Sequence, residues 1–320
     1  MIQGKTVLLT GGRGFIGTHL ALRLCADNQV IVVDNGRRDA MRFFAPPPGI
    51  RFETRDVARP GALDDLLEGV DIVVHLAAVA GVSNYVRQPA TTMVTNLIGT
   101  QLVLEAVKDR SIERLVNFST SEVYGPSALG AREDRATALG PVAESRWTYS
   151  ASKLAAEHLC LAYHRQYGVP VTSVRPFNIF GPGQVGEGAI HDIGIRALRG
   201  EPIRVTGDGQ QVRTWCYIDD MIDATAVLMS NPAAIGDVFN VGNAEPVVPM
   251  IELARRLVER AGSSSPITFA PHIEADVMLR SPDVGHVRKR LGFRPRVDLD
   301  EGLGRTLDWY RDHLAELDPT

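Results

Sequence analysis

Along the first half of the chain, short β-branched apolar runs alternate with stretches whose apolar positions recur every three to four residues. "KTVLLT" (5–10) precedes a helical pattern from Phe15 to Ala26, then "QVIVVD" (29–34). "IRFE" (50–53), an amphipathic "GALDDLLEG" (61–69) and "DIVVHLAA" (71–78) come next. Helical spacing over 92–108 and 149–167 brackets "RLVNFS" (114–119) and leads into "VTSVRP" (171–176). Strands apolar on both faces, alternating with helices, predict an α/β fold built on a doubly wound parallel sheet. Such sheets bind ligands beyond the carboxyl ends of their strands. After Pro176 the rhythm changes: Gly and Pro gather, helical segments shorten, and only "DVFNVGN" (237–243) has the pattern of a buried strand. The expected division is a first unit of 1–176 plus the 237–243 strand. A smaller C-terminal lobe, 177–236 and 244–320, is expected to close over the sheet edge.

Composition narrows the class without choosing a function. The 320 residues are 44% hydrophobic and 22% charged, ordinary values for a globular protein with a large core. The net charge of −4, with Lys and Arg scattered, argues against a nucleic-acid partner. No apolar run is long enough to span a bilayer, and the N-terminus enters a strand without a basic, then apolar, leader. Cys25, Cys160 and Cys216 are odd in number, far apart and outside any metal-ligand spacing. They are expected to be buried reduced thiols in a cytoplasmic protein with no structural metal.

Candidate chemistry begins at "TGGRGFIG" (10–17), which follows a strand and opens a helix. Gly12, Gly14 and Gly17 fit GxGxxG, and Gly11, Gly14 and Gly17 fit GxxGxxG. Glycines permit a tight turn and let backbone N–H groups approach a pyrophosphate at the positive end of a helix. The second strand ends in Asp34, placed to accept hydrogen bonds from a ribose diol and repel a 2′-phosphate. A Rossmann-type unit binding NAD rather than NADP is therefore expected, although Arg37 and Arg38 stand close to that acid. Asp56, after the third strand, has two readings: an adenine contact or an exposed loop carboxylate.

"YSASK" sets Tyr149 and Lys153 four apart, on one helical face. A phenol with a pKa near 10 is a poor base until positive charge favours the phenolate. A neighbouring ammonium and an oxidised nicotinamide would both do so. "STSEVYG" (119–125) ends a strand run with Thr120, Ser121 and Glu122, either a plain turn or the working edge of a site.

Taken together, TGGRGFIG, Asp34, "HLAA" (75–78), "TNLIGTQLVLEA", STSEVYG, YSASK and "RPFNIFGP" resemble the extended short-chain dehydrogenase/reductase family, in particular its NAD-dependent nucleotide-sugar epimerases, dehydratases and decarboxylases. "GDGQQVRTWCYIDD" and "RSPDVGHVRKRLGFRP" are similar to the family's substrate lobe, so the likeness spans nearly the whole chain. It implies a cofactor-binding set of Gly11, Gly14, Phe15, Ile16, Gly17, Asp34, Asn35, Asp56, Val57, Leu76, Ala77, Ala78 and Asn96, with Tyr149 and Lys153. Asn96 is also expected to hydrogen-bond the helix carrying Tyr149. Thr120 would bond the sugar O4, Tyr149 remove its proton, and Lys153 orient the nicotinamide ribose while lowering the Tyr149 pKa. Asn178 would hold the sugar or its diphosphate, or cap a turn. Arg213 and Arg280 would hold the diphosphate, or for Arg280 a sugar carboxylate, against the alternative of solvated surface charges.

The family's shared step oxidises sugar C4, and Glu122 bears on the chemistry after that oxidation. Thr-Ser-Glu occurs in UDP-glucuronate decarboxylases and GDP-mannose dehydratases, whereas simple 4-epimerases usually carry small or apolar residues at that third position. In dTDP-glucose dehydratases an Asp occupies the place of Ser121 as the acid. "SRWTYSASK" resembles a decarboxylase domain of the bacterial lipid A aminoarabinose pathway, while "HLAAVAGVSNY" looks more like epimerases, and "GPGQVGEG" lacks the Arg that UDP-xylose synthases carry there. The expectation is a UDP-glucuronate decarboxylase, ahead of a 4-epimerase and then a 4,6-dehydratase. It acts on a nucleotide sugar, most naturally UDP-linked, and the resemblance implies a homodimer through the helices near 92–108 and 149–167. A catalytically dead NAD-binding regulator is the alternative of another class; intact Tyr149 and Lys153 argue against it.

Overall fold

The computed structural model describes residues 2–271 and 277–317. Strands β1 (Thr6–Thr10), β2 (Gln29–Asp34), β3 (Ile50–Thr54), β4 (Ile72–His75), β5 (Arg114–Phe118), β6 (Ser127–Ala131) and β7 (Val171–Pro176) occupy the first half. The second half adds β8 (Ile179–Phe180), β9 (Ile203–Thr206), β10 (Val212–Arg213), β11 (Cys216–Tyr217), β12 (Val238–Val241), β13 (Val248–Pro249), β14 (Ile267–Ala270) and β15 (Leu279–Pro282). The main sheet has seven strands in the order β12-β7-β5-β4-β1-β2-β3, every pairing parallel. The chain winds outward one way from β1 and the other way from β4. That reversal opens a crevice beyond the carboxyl ends of β1 and β4.

The helices are α1 (Phe15–Leu24), α2 (Val82–Arg87), α3 (Pro89–Met93), α4 (Gly99–Val107), α5 (Thr148–Tyr167), α6 (Ala189–Arg199), α7 (Ile218–Ser230), α8 (Met250–Ala261), α9 (Gly285–Leu291) and α10 (Leu299–Asp312). Alternation along β1 decides which helices it meets. Val7 and Leu9 join Leu20 of α1 and Met221 of α7 in one core; Leu8 joins Leu104 of α4 and Cys160 of α5 in the other. All are essentially inaccessible to solvent, and each leucine buried this way stabilises the fold by about 2 kcal/mol.

Differences from the sequence reading concentrate in three places. Residues 61–69 form successive turns rather than a helix, although Leu63, Leu66 and Leu67 are buried as an amphipathic pattern requires. The helix expected over 92–108 begins at Pro89 and widens to a π turn at Val94–Ile98. The second half carries more order than its Gly and Pro content suggested. It holds helices of 11 to 14 residues and a four-stranded sheet of order β13-β10-β15-β6. Two segments also pack across the expected division at 176: β6 belongs to that second sheet, and α7 packs on α1 and β5. Of the cysteines, Cys160 and Cys216 are buried and Cys25 is half-buried; all three are free. Among the described residues no helix is long and apolar enough to cross a membrane.

A buried polar network fixes α5 to the main sheet. Arg175 of β7 donates Nε and Nη2 to Glu157 of α5, with Nη2 to Oε2 at 2.6 Å. Its Nη1 donates to the Tyr124 hydroxyl, which in turn donates to Asn240 Oδ1 on β12. Asn240 Nδ2 donates to the Ala131 carbonyl of β6. Glu157 lies one turn beyond Lys153 and two beyond Tyr149, so pinning it sets the rotation of the face that carries both.

Candidate active site

A single cleft of about 920 Å³ runs along the carboxyl ends of β1, β2, β4, β5 and β7 and up under the second sheet. Its floor starts at the glycine turn. Gly11 has φ +72, and a Cβ there would lie 2.6 Å from the Ala77 backbone nitrogen. A Cβ on Gly17 would lie 2.6 Å from the Gly11 carbonyl, whereas Gly12 instead packs on Val32 in the core. GxxGxxG is therefore the frame that shapes the turn. No side chain caps α1 at Gly14, so its first N–H groups are left to face the cleft. Asp34 ends β2 with Oδ2 accepting from the Arg13 N–H (3.0 Å) and Oδ1 from the Gly36 N–H (2.8 Å). Burial pushes its carboxyl up, against those two N–H groups and the Arg13 charge.

Phe15, Ile16, Asn35, Asp56, Val57, Leu76, Ala77 and Ala78 all line the cleft. Asn96 does not. Fully buried on the π turn, it accepts from the Val79 N–H (2.7 Å) and donates to the Val79 carbonyl and to Ser152 Oγ (3.0 Å). Its place is behind the wall, tying the β4 loop to α5 through the expected bond to the helix of Tyr149. His75 is similarly internal, held between Thr10 and Thr100, and burial lowers its pKa to about 3.

Tyr149 and Lys153 face the cleft from the first turns of α5. Burial brings the Lys153 ammonium down to about 8, opposed by Cys160 and Glu157. The Tyr149 phenol is pushed above its ordinary value by burial and then by the Glu122 charge; a hydrogen bond from Thr120, Arg38 and Arg280 pull the other way. Burial and the Glu122 charge together favour the protonated phenol.

Thr120 answers the turn question posed by STSEVYG. Its hydroxyl accepts from the Glu122 N–H (3.2 Å) as the N-cap of a 3₁₀ turn, Ser121–Tyr124, that leaves β5. The turn is also a site wall, because Thr120, Ser121 and Glu122 all reach the cleft. Glu122 is ion-paired on two sides. Arg146 Nη1 donates to Oε2 at 2.6 Å and Nη2 to Oε1 at 3.2 Å, while Arg280 Nη1 stands 3.4 Å from Oε1. Burial raises the Glu122 pKa, but Arg280 and Arg146 outweigh it and hold the carboxyl below its usual range. Arg146 Nη1 also donates to the Tyr85 hydroxyl (2.7 Å), and the Tyr85 ring stacks on Tyr149 with centroids 5.7 Å apart.

Arg213 and Arg280 are register partners on the parallel strands β10 and β15, so both enter the cleft from one side. Arg280 Nε and Nη2 are buried with no hydrogen-bond partner among the described residues. Asn178, at φ +46, is the one non-glycine in the left-handed region among the described residues. It donates Nδ2 to the Thr214 carbonyl at 2.7 Å, so its amide serves a turn while its position lines the cleft. Sequence reasoning missed Tyr85 altogether and noted Arg146 only as part of a resemblance. A polar pair buried against Tyr149 has no linear signal, because residues 85, 122 and 146 meet only in three dimensions. It also missed a strap over the cleft. Arg38 Nη2 donates to the Ala80 carbonyl (2.9 Å) between Gly81 and Gly186, and Glu187 accepts from the N–H and hydroxyl of Ser83.

Residues 7–242 match the model of the NAD dependent epimerase/dehydratase family. The chain belongs to that family. Three of its likenesses name three different reactions. UDP-glucuronic acid decarboxylase 1 of Xenopus tropicalis is 34% identical over 317 residues, covering 97% of this chain and 73% of that protein. A UDP-glucuronic acid 4-epimerase from Bacillus cereus, solved with UDP-glucuronic acid and NAD, superposes with TM-score 0.88 at 28% identity, covering 96% and 99% of the two chains. DesIV, a dTDP-glucose 4,6-dehydratase from Streptomyces venezuelae solved with NAD and TYD, gives TM-score 0.90 at 31% identity, covering 98% and 99%. Like other members of the epimerase/dehydratase family, this chain is an NAD-dependent enzyme that modifies nucleotide sugars. The residues fit the cofactor: an uncapped helix N-terminus over a glycine turn suits a pyrophosphate, and Asp34 at the end of β2 suits a ribose diol.

Proposed function

We propose that the chain decarboxylates UDP-glucuronate. The observation that carries this reading is Arg280: a buried guanidinium in the cleft, with two nitrogens lacking any acceptor among the described residues, next to a Glu122 already paired with Arg146. A carboxylate on the sugar supplies the missing acceptor. NAD, when bound, serves as the hydride acceptor and donor for sugar C4. In this reading Thr120 holds the C4 hydroxyl and Tyr149 takes its proton. With C4 a ketone, the C5 carboxylate is a β-keto acid. The electrons of the C5–C6 bond move into the ketone as CO₂ leaves, and a proton returns to C5. Lys153 and Asp34 are assigned to the cofactor, Asn178 and Arg213 to the sugar and diphosphate.

The structural likeness to a 4-epimerase of UDP-glucuronic acid favours a second reading, because that reaction begins on the same sugar and needs no bond broken at C6. Ser121, a poor proton donor, weighs against dehydration. The test supplies UDP-glucuronate, UDP-glucose and dTDP-glucose with NAD and follows products by mass spectrometry. Loss of CO₂ from UDP-glucuronate is the expected result; unchanged mass with altered retention would move the assignment to epimerisation, and loss of water to dehydration. Turnover of none of the three would remove the reading. A homodimer is part of this proposal, supported by the exposed apolar residues Met93, Val94 and Ile98 on the α3–α4 stretch. The three free cysteines support a reducing, cytoplasmic setting.

A further inference from the structure

Three largely buried charges meet beside Tyr149: Arg146, Glu122 and Arg280, together one positive charge in excess. They are not equivalent. Arg146 grips both oxygens of Glu122 and is braced by the Tyr85 hydroxyl, whose ring lies against Tyr149. Arg280 touches the same carboxylate through one longer contact of 3.4 Å, and its Nε and Nη2 remain without an acceptor among the described residues. A carboxylate left beside a lone guanidinium closes into a two-bond fork with it. If Arg146 were absent, Glu122 would be drawn onto Arg280 and consume the donors that now lack an acceptor.

We propose that Arg146 is a positioning residue that sets substrate charge preference: by neutralising Glu122 it keeps Arg280 available for the carboxylate of an acidic sugar. This role rests on the acid-sugar reading of the site. Tyr85 serves the same arrangement by holding Arg146 on the Glu122 side. The charge account makes a demand that a merely structural brace does not. Removing the Glu122 charge must repair the loss of Arg146.

The experiment measures, by calorimetry on enzyme loaded with NADH, which cannot accept the C4 hydride, the affinities of UDP-glucuronate and UDP-glucose for five proteins: wild type, Arg146→Met, Arg146→Lys, Glu122→Gln and the Arg146→Met/Glu122→Gln double variant. Arg146→Met is expected to weaken UDP-glucuronate by about tenfold or more while UDP-glucose changes by less than about threefold. The double variant is expected to regain most of the preference, because a neutral amide in place of the Glu122 carboxylate has no charge with which to claim Arg280. Arg146→Lys, which keeps the charge without the fork, is expected to fall between wild type and Met and gives a folded comparator. A preference that survives in Arg146→Met, that is not restored in the double variant, or that is lost as fully with Lys as with Met overturns this proposal alone. A wild-type enzyme that binds the two sugars equally overturns the acid-sugar reading, and this proposal with it.

Discussion

Lys153 shows what a single buried cation lining the cleft costs the fold. It is 1% exposed, and burial brings its ammonium from 10.5 down to about 8, a difference of about 3 kcal/mol between its two protonation states. Below pH 8 the folded chain carries a buried ammonium that the unfolded chain solvates, so the group destabilises. Between about pH 8 and 10.5 the folded chain gives up the proton while the unfolded chain keeps it, and stability from this group rises with pH. Lys153→Met is therefore expected to abolish turnover yet raise the melting temperature of the NAD-free protein at pH 7. The gain should shrink above pH 8 and vanish by about 10.5. A scanning calorimetry series in pH checks this, and a Met variant less stable than wild type at pH 7 contradicts it. At this scale the sequence was informative about spacing and silent about neighbours. A spacing of four from Tyr149 to Lys153 implies one face, and the bond expected from Asn96 to the helix of Tyr149 is present at Ser152, but nothing linear tells that Arg146 would claim Glu122.

Strands and helices were legible where both faces of the sheet are apolar, since period and length then agree, as in β1, β2 and β7. They were illegible where tertiary pairing makes the element: two-residue strands such as β10 exist only because Val248 and Arg280 flank them. Loops matter equally. Arg38 comes from the connection after β2, Ala80 from that after β4, Ser83 from the first turn of α2, and Gly186–Glu187 from the connection after β8. Their hydrogen bonds tie together segments that line the cleft. Cutting that strap with Arg38→Ala or Glu187→Ala is expected to speed NAD release by several-fold with little change in melting temperature of the NAD-free chain. Stopped-flow displacement of NAD checks the first half and calorimetry the second; unchanged release from both variants would contradict a retaining role.

For the whole molecule, the proposed homodimer would bury exposed side chains of the α3–α4 stretch, where Val94 is 51% and Ile98 38% accessible. The same π turn, Val94–Ile98, carries Asn96 buried on its other side. Ile98→Glu is expected to convert a dimer to monomers in sedimentation, while a wild-type protein that sediments as a monomer removes the homodimer from the proposed function. The main sheet meanwhile takes its last strand, β12, from a segment more than sixty residues beyond β7. Asn240 on that strand bonds Tyr124 on one side and the β6 carbonyl on the other. A graft that exchanges substrate specificity with a relative therefore cannot be made with one crossover near residue 176. It needs breakpoints on both sides of β12, so that each parent contributes a discontinuous piece and the recipient keeps its own final strand.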